Sequence, residues 1–163
     1  MISSKRQGML FSSLVSFIGW LIPLGCEHTS SPRGRPGDIL ELRVKDHSLR
    51  VEVASDDLSR RVGLMDRKGL PENEGMLFVF RQPAAQAFWM KHTYIPLSVA
   101  FLDDNGKILQ IEDMQPKDET NTVSKNPVRF AIEVNQGWFQ KNGIGVGDTF
   151  AEFVEALRPF RGS

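Results

Sequence analysis

Apolar and polar side chains alternate along much of this 163-residue chain, and this two-residue period limits the fold more than any other feature. The alternation is clear at Leu40, Leu42 and Val44, and it resumes at Leu49 after the polar stretch Asp46-His47-Ser48. A period of two predicts strands with one buried face, and a short polar break between two such runs predicts an antiparallel hairpin. The domain is therefore expected to begin with a β-hairpin.

Further strands are predicted by apolar runs that end at turn-forming residues. They are Met76–Phe80, Ala87–Thr93, Leu97–Leu102, Lys107–Met114 and Val128–Val134. Asn105-Gly106 lies between two of these runs and is a strong hairpin signal, whereas residues 115–127 are polar and predict a loop. Six or more strands with few helical segments favour a mainly β fold, either a sandwich or a small barrel.

One or two short helices complete the predicted fold. The acidic pair Asp56-Asp57 is typical of a helix start, and Gly63 limits the length of this helix. Its apolar residues at helical spacing are Leu58, Val62 and Met65. Asn135 is a candidate cap for a second helix that reaches Lys141 and stops at Asn142-Gly143.

The first 25 residues have the order of an export signal. The basic pair Lys5-Arg6 is followed by an uncharged, mostly apolar stretch from Gln7 to Gly25 that contains several serines and Pro23. This stretch falls short of the roughly 20 strongly apolar residues of a transmembrane helix. Residues 1–25 are therefore predicted to be a signal peptide.

Cys26, the single cysteine of the chain, follows this signal directly. The segment Pro23-Leu24-Gly25-Cys26 resembles a bacterial lipoprotein processing box, in which the cysteine is acylated, and it predicts a periplasmic or cell-surface lipoprotein anchored in the membrane. Residues 26–37 are rich in Ser, Pro and Gly and predict a tether, followed by one β-rich domain over 38–158 and a tail over 159–163. A cleaved soluble form and an uncleaved anchor are the alternatives.

Charge and composition argue against several classes of protein. The chain has 20 basic and 20 acidic residues, and without residues 1–25 it has 18 basic against 20 acidic. A chain without net positive charge has no field that attracts nucleic acid, so a nucleic-acid partner is not expected. The hydrophobic content of 40% and the charged content of 25% are values of a globular protein and not of a disordered chain.

Five motifs lie in order along residues 40–155. They are Arg60-Arg61-Val62-Gly63-Leu64-Met65-Asp66-Arg67, Gly75-Met76-Leu77-Phe78, Phe88-Trp89-Met90-Lys91-His92-Thr93-Tyr94-Ile95-Pro96-Leu97, Asp104-Asn105-Gly106-Lys107-Ile108 and Glu133-Val134-Asn135-Gln136-Gly137-Trp138-Phe139. Together they resemble the family catalogued as domain of unknown function 192. The resemblance implies a small, jelly-roll-like β domain, often exported, and it implies no established activity. His92 stands where the family typically has Asn, Ser98 stands where Asp is usual, and residues 117–124 lack the Cys and Tyr often found there.

Four carboxylates lie in the region that resembles the family, within or between its motifs: Glu74, Asp103, Glu133 and Asp148. Two carboxylates about 5–10 Å apart in a cleft can perform acid–base work on a glycosidic bond. The candidate catalytic residues are therefore Glu74, Glu133 and Asp148, with Arg67 as a partner. Structural ion pairs and turn caps are the alternative, because acidic residues beside Gly commonly serve turns.

Trp89 lies in a segment that suggests a binding face. In a strand over these residues, Trp89, Lys91 and Thr93 would share one face, with Met90 and His92 on the other. An accessible Trp beside a Lys can stack on a sugar ring or hold a polar ligand, and Arg60 is a further ligand-binding candidate. The alternative is a core Trp with Lys91 at the surface.

No cofactor or metal site is predicted. A thioether copper site would use Met65, Met76, Met90, Met114 and His92, but these residues lack tight spacing, so gap-filling core methionines are favoured. The three histidines, His28, His47 and His92, have no spacing typical of zinc ligands.

The function favoured by the sequence is a non-catalytic binding or interaction module of the cell envelope. Its partner would be a small molecule, a glycan or an envelope protein. The alternative is an envelope hydrolase that uses paired carboxylates on a carbohydrate. The binding hypothesis requires Trp89 to line a groove, whereas the hydrolase requires at least two of its candidate residues to meet in one cleft.

Overall fold

A computed structural model of the protein describes residues 34–160, so the predicted signal peptide, Cys26, most of the tether and residues 161–163 lie outside the described part. This part of the chain is mainly β, with 43% of its residues in strands and 13% in helices. The strands in this part are β1 (Ile39–Val44), β2 (His47–Ala54), β3 (Glu74–Ala84), β4 (Ala87–Phe88), β5 (Leu97–Leu102), β6 (Ile108–Met114), β7 (Thr122–Val123), β8 (Val128–Asn135) and β9 (Phe150–Ala151). The helices are α1 (Asp57–Val62), α2 (Trp138–Lys141) and α3 (Phe153–Ala156), and a 3-10 turn covers Arg158–Phe160. None of these helices is long and apolar enough to cross a membrane.

Seven strands form one sheet in the order β6-β5-β8-β3-β2-β1-β9, which curls into a half-barrel. The pair β2–β3 is parallel and the other pairs are antiparallel. The two edges of the sheet approach each other at one end, where Lys107 bridges to Thr149 and the amide of Phe150 donates to the carbonyl of Gly106 at 3.0 Å. This contact needs a glycine, because a Cβ on Gly106 would lie 2.5 Å from the ring of Phe153.

The predicted hairpins are confirmed. Strands β1 and β2 pair with Leu42 opposite Leu49, and β5 and β6 pair around the turn at Asn105-Gly106. Strand β3, predicted from the apolar run Met76–Phe80, lies at the centre of the sheet between β2 and β8. Its position explains why it has no polar alternation, since both of its faces are buried.

Two apolar clusters lie on opposite faces of the sheet. The helix-side cluster packs sheet residues such as Leu77 and Ile132 against α2, α3 and the 3-10 turn. The loop-side cluster packs Phe78 and Phe101 against Leu64, Phe88 and Met90, which come from the loops. The loop-side face therefore depends on long-range segments for its cover, and it is the face that carries the candidate site.

The predicted strand Ala87–Thr93 is wrong beyond Phe88. Only Ala87–Phe88 pairs, with β7, and a turn follows in which the amide of Thr93 donates to the carbonyl of Met90 at 3.0 Å. His92 has a φ of 52°, a left-handed conformation that Asn and His tolerate better than most residues. The prediction that Trp89, Lys91 and Thr93 share one face of a strand is therefore also wrong. The prediction of a loop over residues 115–127 is wrong at Thr122–Val123, which form β7.

The first helix has the predicted start but not the predicted packing. The carboxylate of Asp56 accepts from the amide of Ser59 at 2.7 Å, and the Ser59 hydroxyl accepts from the amide of Asp56 at 3.2 Å. Leu58 and Val62 are 69% and 46% exposed, so the predicted apolar stripe does not face the core. The six-residue helix instead turns Arg60 towards the sheet, where its guanidinium donates to the carbonyl of Val79 at 2.8 Å.

The second helix begins two residues later than its predicted cap would require. Its N-terminal cap is Gly137, whereas Asn135 ends β8 and its side-chain amide donates to the carbonyl of Leu70 at 2.9 Å. Asn135 thus holds a neighbouring loop and not the helix. A third helix, Phe153–Ala156, adds to the one or two that were predicted.

Candidate functional site

A cavity of about 240 Å³ opens on the loop-side face, between the end of α1 and the segment that follows β4. We call it the Glu133 cavity. Its lining residues are Arg60, Arg61, Val62, Gly63, Leu64, Met65, Phe78, Phe80, Ala87, Phe88, Trp89, Thr93 and Glu133. Segments far apart in the sequence therefore build one small concave site.

Glu133 is a buried acidic residue in the lining of this cavity. Register places Met76 of β3 and Val99 of β5 directly beside it, so its side chain shares the loop-side face with two apolar neighbours. Only 5% of Glu133 is exposed, and its carboxyl group forms no hydrogen bond or ion pair with any residue between 34 and 160. Burial of the charged form raises the pKa of Glu133 from 4.5 to about 8. The group is therefore predominantly a neutral acid at pH 7.

Aromatic rings form much of the cavity wall. The ring of Phe88 packs edge-to-face against Phe78 and Phe80, with centroids 4.9 and 6.4 Å apart. Trp89 is 42% exposed, and the Nζ of Lys91 lies 5.2 Å from the centroid of its ring. The wall thus combines a buried aromatic group with one accessible indole.

Thr93 adds a buried hydroxyl to the lining. Its side chain is 4% exposed and donates to the carbonyl of Lys91 at 3.3 Å. A hydroxyl that donates one hydrogen bond retains lone pairs that can accept from a ligand.

The two arginines of the cavity differ in their partners. The guanidinium of Arg60 donates to the carbonyls of Ser55 and Val79 at 2.7 and 2.8 Å and forms an ion pair with Asp57 at 2.5 Å. It also lies 5.4 Å from the ring centroid of Phe80. Arg61 is exposed and makes no ion pair with the described residues. Arg60 is therefore a fixed part of the wall, and Arg61 offers an unpaired positive charge near the opening.

The predicted acid–base residues do not meet in this cavity. The carboxylate of Glu74 pairs with Arg50 at 2.7 Å, and Arg67 pairs with Glu52 at 2.5 Å. Of the four candidates, Glu133 alone lines the cavity. Glu74 and Arg67 thus have the structural ion pairs that the sequence left open as the alternative.

Asp148 and Asp103 serve turns. The carboxylate of Asp148 lies 2.8 Å from the Nζ of Lys45, and this hydrogen bond lowers the pKa of Asp148. Asp103 accepts from the backbone amides of Asn105 and Lys107 at 2.8 and 2.9 Å, which fixes the hairpin turn. Neither residue lines the Glu133 cavity.

Three of the four predicted ligand-binding residues line the cavity: Arg60, Trp89 and Thr93. The fourth, Lys91, lies over the ring of Trp89 but does not line the cavity. Sequence reasoning missed the wall residues Phe78, Phe80 and Phe88 as site residues. Phe78 and Phe80 are two residues apart in β3 and therefore share one face of the sheet. No local sequence signal distinguishes the wall of a cavity from an ordinary core.

The methionines proposed for copper pack as apolar side chains. Met76, Met90 and Met114 belong to the loop-side cluster, whereas Met65 lines the cavity and His92 is exposed in its turn. Within residues 34–160 no group of three His, Cys, Asp or Glu is placed to hold a metal ion.

Ser98 lies outside the cavity. Its hydroxyl donates to the carboxylate of Asp113 at 2.5 Å and accepts from the amide of Gly137 at 3.0 Å. It therefore positions the start of α2.

A comparison with family sequence profiles identifies the family. Residues 40–151 match the sequence profile of DUF192, described as "Uncharacterized ACR". No curated protein matches the chain.

Two solved structures are similar in both sequence and fold. A candidate transcription regulator from Sinorhizobium meliloti 1021 shares 35% identity at a TM-score of 0.64, over 68% of this chain and 88% of that one. A protein of unknown function from Novosphingobium aromaticivorans DSM 12444 shares 30% identity at a TM-score of 0.66, over 75% and 93%. The match over residues 40–151 shows that this chain belongs to the DUF192 family.

Proposed function

We propose that this protein is a non-catalytic module of the cell envelope that binds a small ligand in the Glu133 cavity. The observation that carries the proposal is Glu133, a residue that is only 5% exposed and lines the cavity, and whose carboxyl oxygens are not fully enclosed and have no partner among the described residues. Buried polar groups are almost always hydrogen-bonded, because an unsatisfied group loses its bonds to water without replacement. A bound ligand would supply the missing partner.

The shape and lining of the cavity support a small occupant. Its volume of about 240 Å³ is slightly below the range of about 300–1,000 Å³ typical of sites for drug-sized molecules. Aromatic walls with a few polar groups, here Glu133 and Thr93, are typical of binding sites that fix the orientation of a ligand. The alternative hydrolase finds less support, because the cavity contains one carboxyl group where paired carboxylates are needed.

Blocking the opening tests the proposed binding site. Ala87 is exposed and lines the cavity, so Ala87→Phe is expected to occlude it without disturbing the core. The measurement is an NMR titration with 1-butanol, sodium butyrate and n-butylammonium chloride. Shifts of the Gly63 amide and the Trp89 indole N–H are expected for at least one probe, and Ala87→Phe should weaken that binding about tenfold or more.

The matched control is Ala85→Phe. Ala85 is also exposed, lies two residues away and does not line the cavity. Binding equal to that of the unmodified protein is expected for this variant. If none of the three probes shifts the cavity signals, or if both variants bind alike, the cavity is not the ligand site.

The proposed location in the envelope depends on Cys26 and has its own test. If Cys26 is acylated, Cys26→Ser should release most of the protein from the membrane fraction, because the acyl chains supply its attachment. Cell fractionation with mass spectrometry of the N-terminus measures both partition and acylation. Thr29→Ala, within the same predicted tether, is the control and should stay attached. Unchanged membrane attachment of the Cys26→Ser protein would refute lipidation.

A further inference from the structure

We propose that the group bound against Glu133 is an organic cation, namely an ammonium group on a short apolar stem. This inference rests on the proposed binding function and specifies its ligand. It requires that no resident cation already pairs with the carboxylate, and that the wall of the cavity suits both an apolar stem and a positive charge.

The first requirement concerns the resident charges. Burial raises the pKa of Glu133, and no hydrogen bond or ion pair joins its carboxyl group to Arg60 or Arg61. Arg60 is occupied by Asp57 and two carbonyls. A ligand with an ammonium group would favour the charged form of Glu133, by an ion pair strengthened in a site of low dielectric.

The second requirement concerns the aromatic wall. Two of its rings already hold cations of the protein: the guanidinium carbon of Arg60 lies 5.4 Å from the Phe80 centroid, and the Nζ of Lys91 lies 5.2 Å from the Trp89 centroid. Such contacts arise because the face of an aromatic ring carries partial negative charge. The buried rings of Phe78 and Phe88 supply apolar contact for a stem, and the Thr93 hydroxyl can accept a hydrogen bond from an ammonium group.

The other charged groups near Glu133 do not pair with its carboxyl group. On the same row of the sheet, Glu52 and Glu112 are separated from it by Met76 and Val99. Glu52 pairs with Arg67, and Glu112 lies 3.6 Å from the Nζ of Lys125. The charged or titratable groups on the segments that cover the cavity are Arg60, Arg61, Asp66, Lys91 and His92. None of these forms a hydrogen bond or ion pair with the carboxyl group of Glu133.

Cation binding should therefore be coupled to loss of the Glu133 proton. Each pH unit below the pKa of about 8 is expected to weaken the binding of a permanently charged ligand about tenfold, and binding should level off above that value. A neutral ligand of the same size should show no such dependence.

Titration of the purified full-length protein with n-butylammonium chloride between pH 6 and pH 9 tests this inference. The controls at equal ionic strength are 1-butanol and sodium butyrate, and calorimetry in two buffers of different ionisation enthalpy measures proton release. We expect n-butylammonium to bind at least tenfold more tightly at pH 8 than at pH 6, and proton release should accompany binding at pH 7. Glu133→Gln should lose both the tenfold gain and the proton release.

A second probe separates two sources of the same chemistry. If Nα-acetyl-lysine methylamide binds more tightly than n-butylammonium, the cation belongs to a lysine side chain of a protein. If it binds more weakly, the cation belongs to a small free amine. Both results support a cation at Glu133.

Three results would overturn the inference. They are binding of butyrate as tight as that of n-butylammonium, equal binding of n-butylammonium by the Glu133→Gln protein, and binding that does not change between pH 6 and pH 9. If 1-butanol alone binds, and Ala87→Phe abolishes its binding, the cation is wrong while the proposed binding site stands. If no probe shifts the cavity signals, the proposed function itself fails.

Discussion

Replacing Glu133 with Gln is expected to remove the steepest fall in stability of this protein between about pH 5 and pH 8. The pKa of Glu133 rises from 4.5 to about 8 because the folded protein buries the group. Between these two values the folded state holds a proton that the unfolded chain has released. The free energy of unfolding must then fall as the pH rises, by about 1.4 kcal/mol per pH unit for this one group.

The size of the effect follows from the same two pKa values. The full stabilisation is present below the pKa of the unfolded chain, and it is lost by the time the pH passes about 8. Over this range the loss is on the order of 5 kcal/mol, a large part of the stability of a typical domain. The Gln side chain keeps the shape and stays neutral, so the variant should be more stable than the natural protein at pH 9 and close to it at pH 5.

Urea unfolding at several pH values measures this difference. The matched control is Glu52→Gln, since Glu52 lies on the same row of the sheet but is half-buried and paired with Arg67 at 2.5 Å. Its removal should not raise stability at high pH. Parallel curves of unfolding free energy against pH for the natural protein and Glu133→Gln would show that Glu133 is not buried in an apolar site.

A carboxyl group at this position is costly, and this cost bears on function. An apolar side chain in the place of Glu133 would fit beside Met76 and Val99 and would carry no desolvation penalty. A strongly perturbed carboxyl group in a concave site is a candidate functional group. Glu133→Gln is expected to gain stability at high pH and to lose cation binding. These two results together would show that the natural residue lowers stability in order to bind the ligand.

Local sequence signals were sufficient for most of the sheet. The alternation around Leu42 and Leu49 predicted the first hairpin, and Asn105-Gly106 predicted the turn between β5 and β6. Both signals are short-range, because the period of the side chains and the turn residues lie within a few positions of each other. The curl of the sheet was not predictable in the same way, since it joins Lys107 to Thr149.

The candidate site was less predictable because its depth is created by long-range cover. In β8 the apolar residues Phe130, Ile132 and Val134 alternate with Arg129, Ala131 and Glu133, so the strand pattern alone places Glu133 on a polar face. Leu64, Met65 and Phe88 lie over that face and turn it into a buried one. The sequence named Glu133, Trp89, Thr93 and Arg60 as candidates, but not as neighbours in one cavity.

The turn after Phe88 shows the same limit. The apolar residues Phe88 and Met90 alternate as in a strand, yet the amide of Met90 donates to the carbonyl of Asp118 at 2.8 Å and that of Asp66 donates to the carbonyl of His92 at 2.8 Å. These bonds to distant loops replace the ladder of a strand. Because of the resulting turn, Trp89 and Thr93 line the cavity without Lys91, which a regular strand would have placed beside them.

Truncation of Phe88 to Ala should have the second large effect. Phe88 is buried, and its ring packs edge-to-face against Phe78, Phe80 and Phe101 at centroid distances of 4.9, 6.4 and 5.7 Å. Loss of such a ring from a core typically costs about 3–5 kcal/mol of unfolding free energy. Because Phe88 also lines the Glu133 cavity, its removal should admit water to the carboxyl group and lower the pKa of Glu133 towards its ordinary value.

Two readouts separate the loss of packing from the loss of cover. Phe150→Ala removes a ring of the same size from the helix-side cluster, on the other face of the sheet from Glu133, so it should lower stability by a similar amount without changing the pH dependence. In Phe88→Ala the fall in unfolding free energy between pH 6 and pH 9 should shrink, because the folded and unfolded chains then release the Glu133 proton at closer pH values. Urea unfolding at these two pH values compares the variants directly. An unchanged pH dependence in Phe88→Ala would mean that residues other than Phe88 keep water from Glu133.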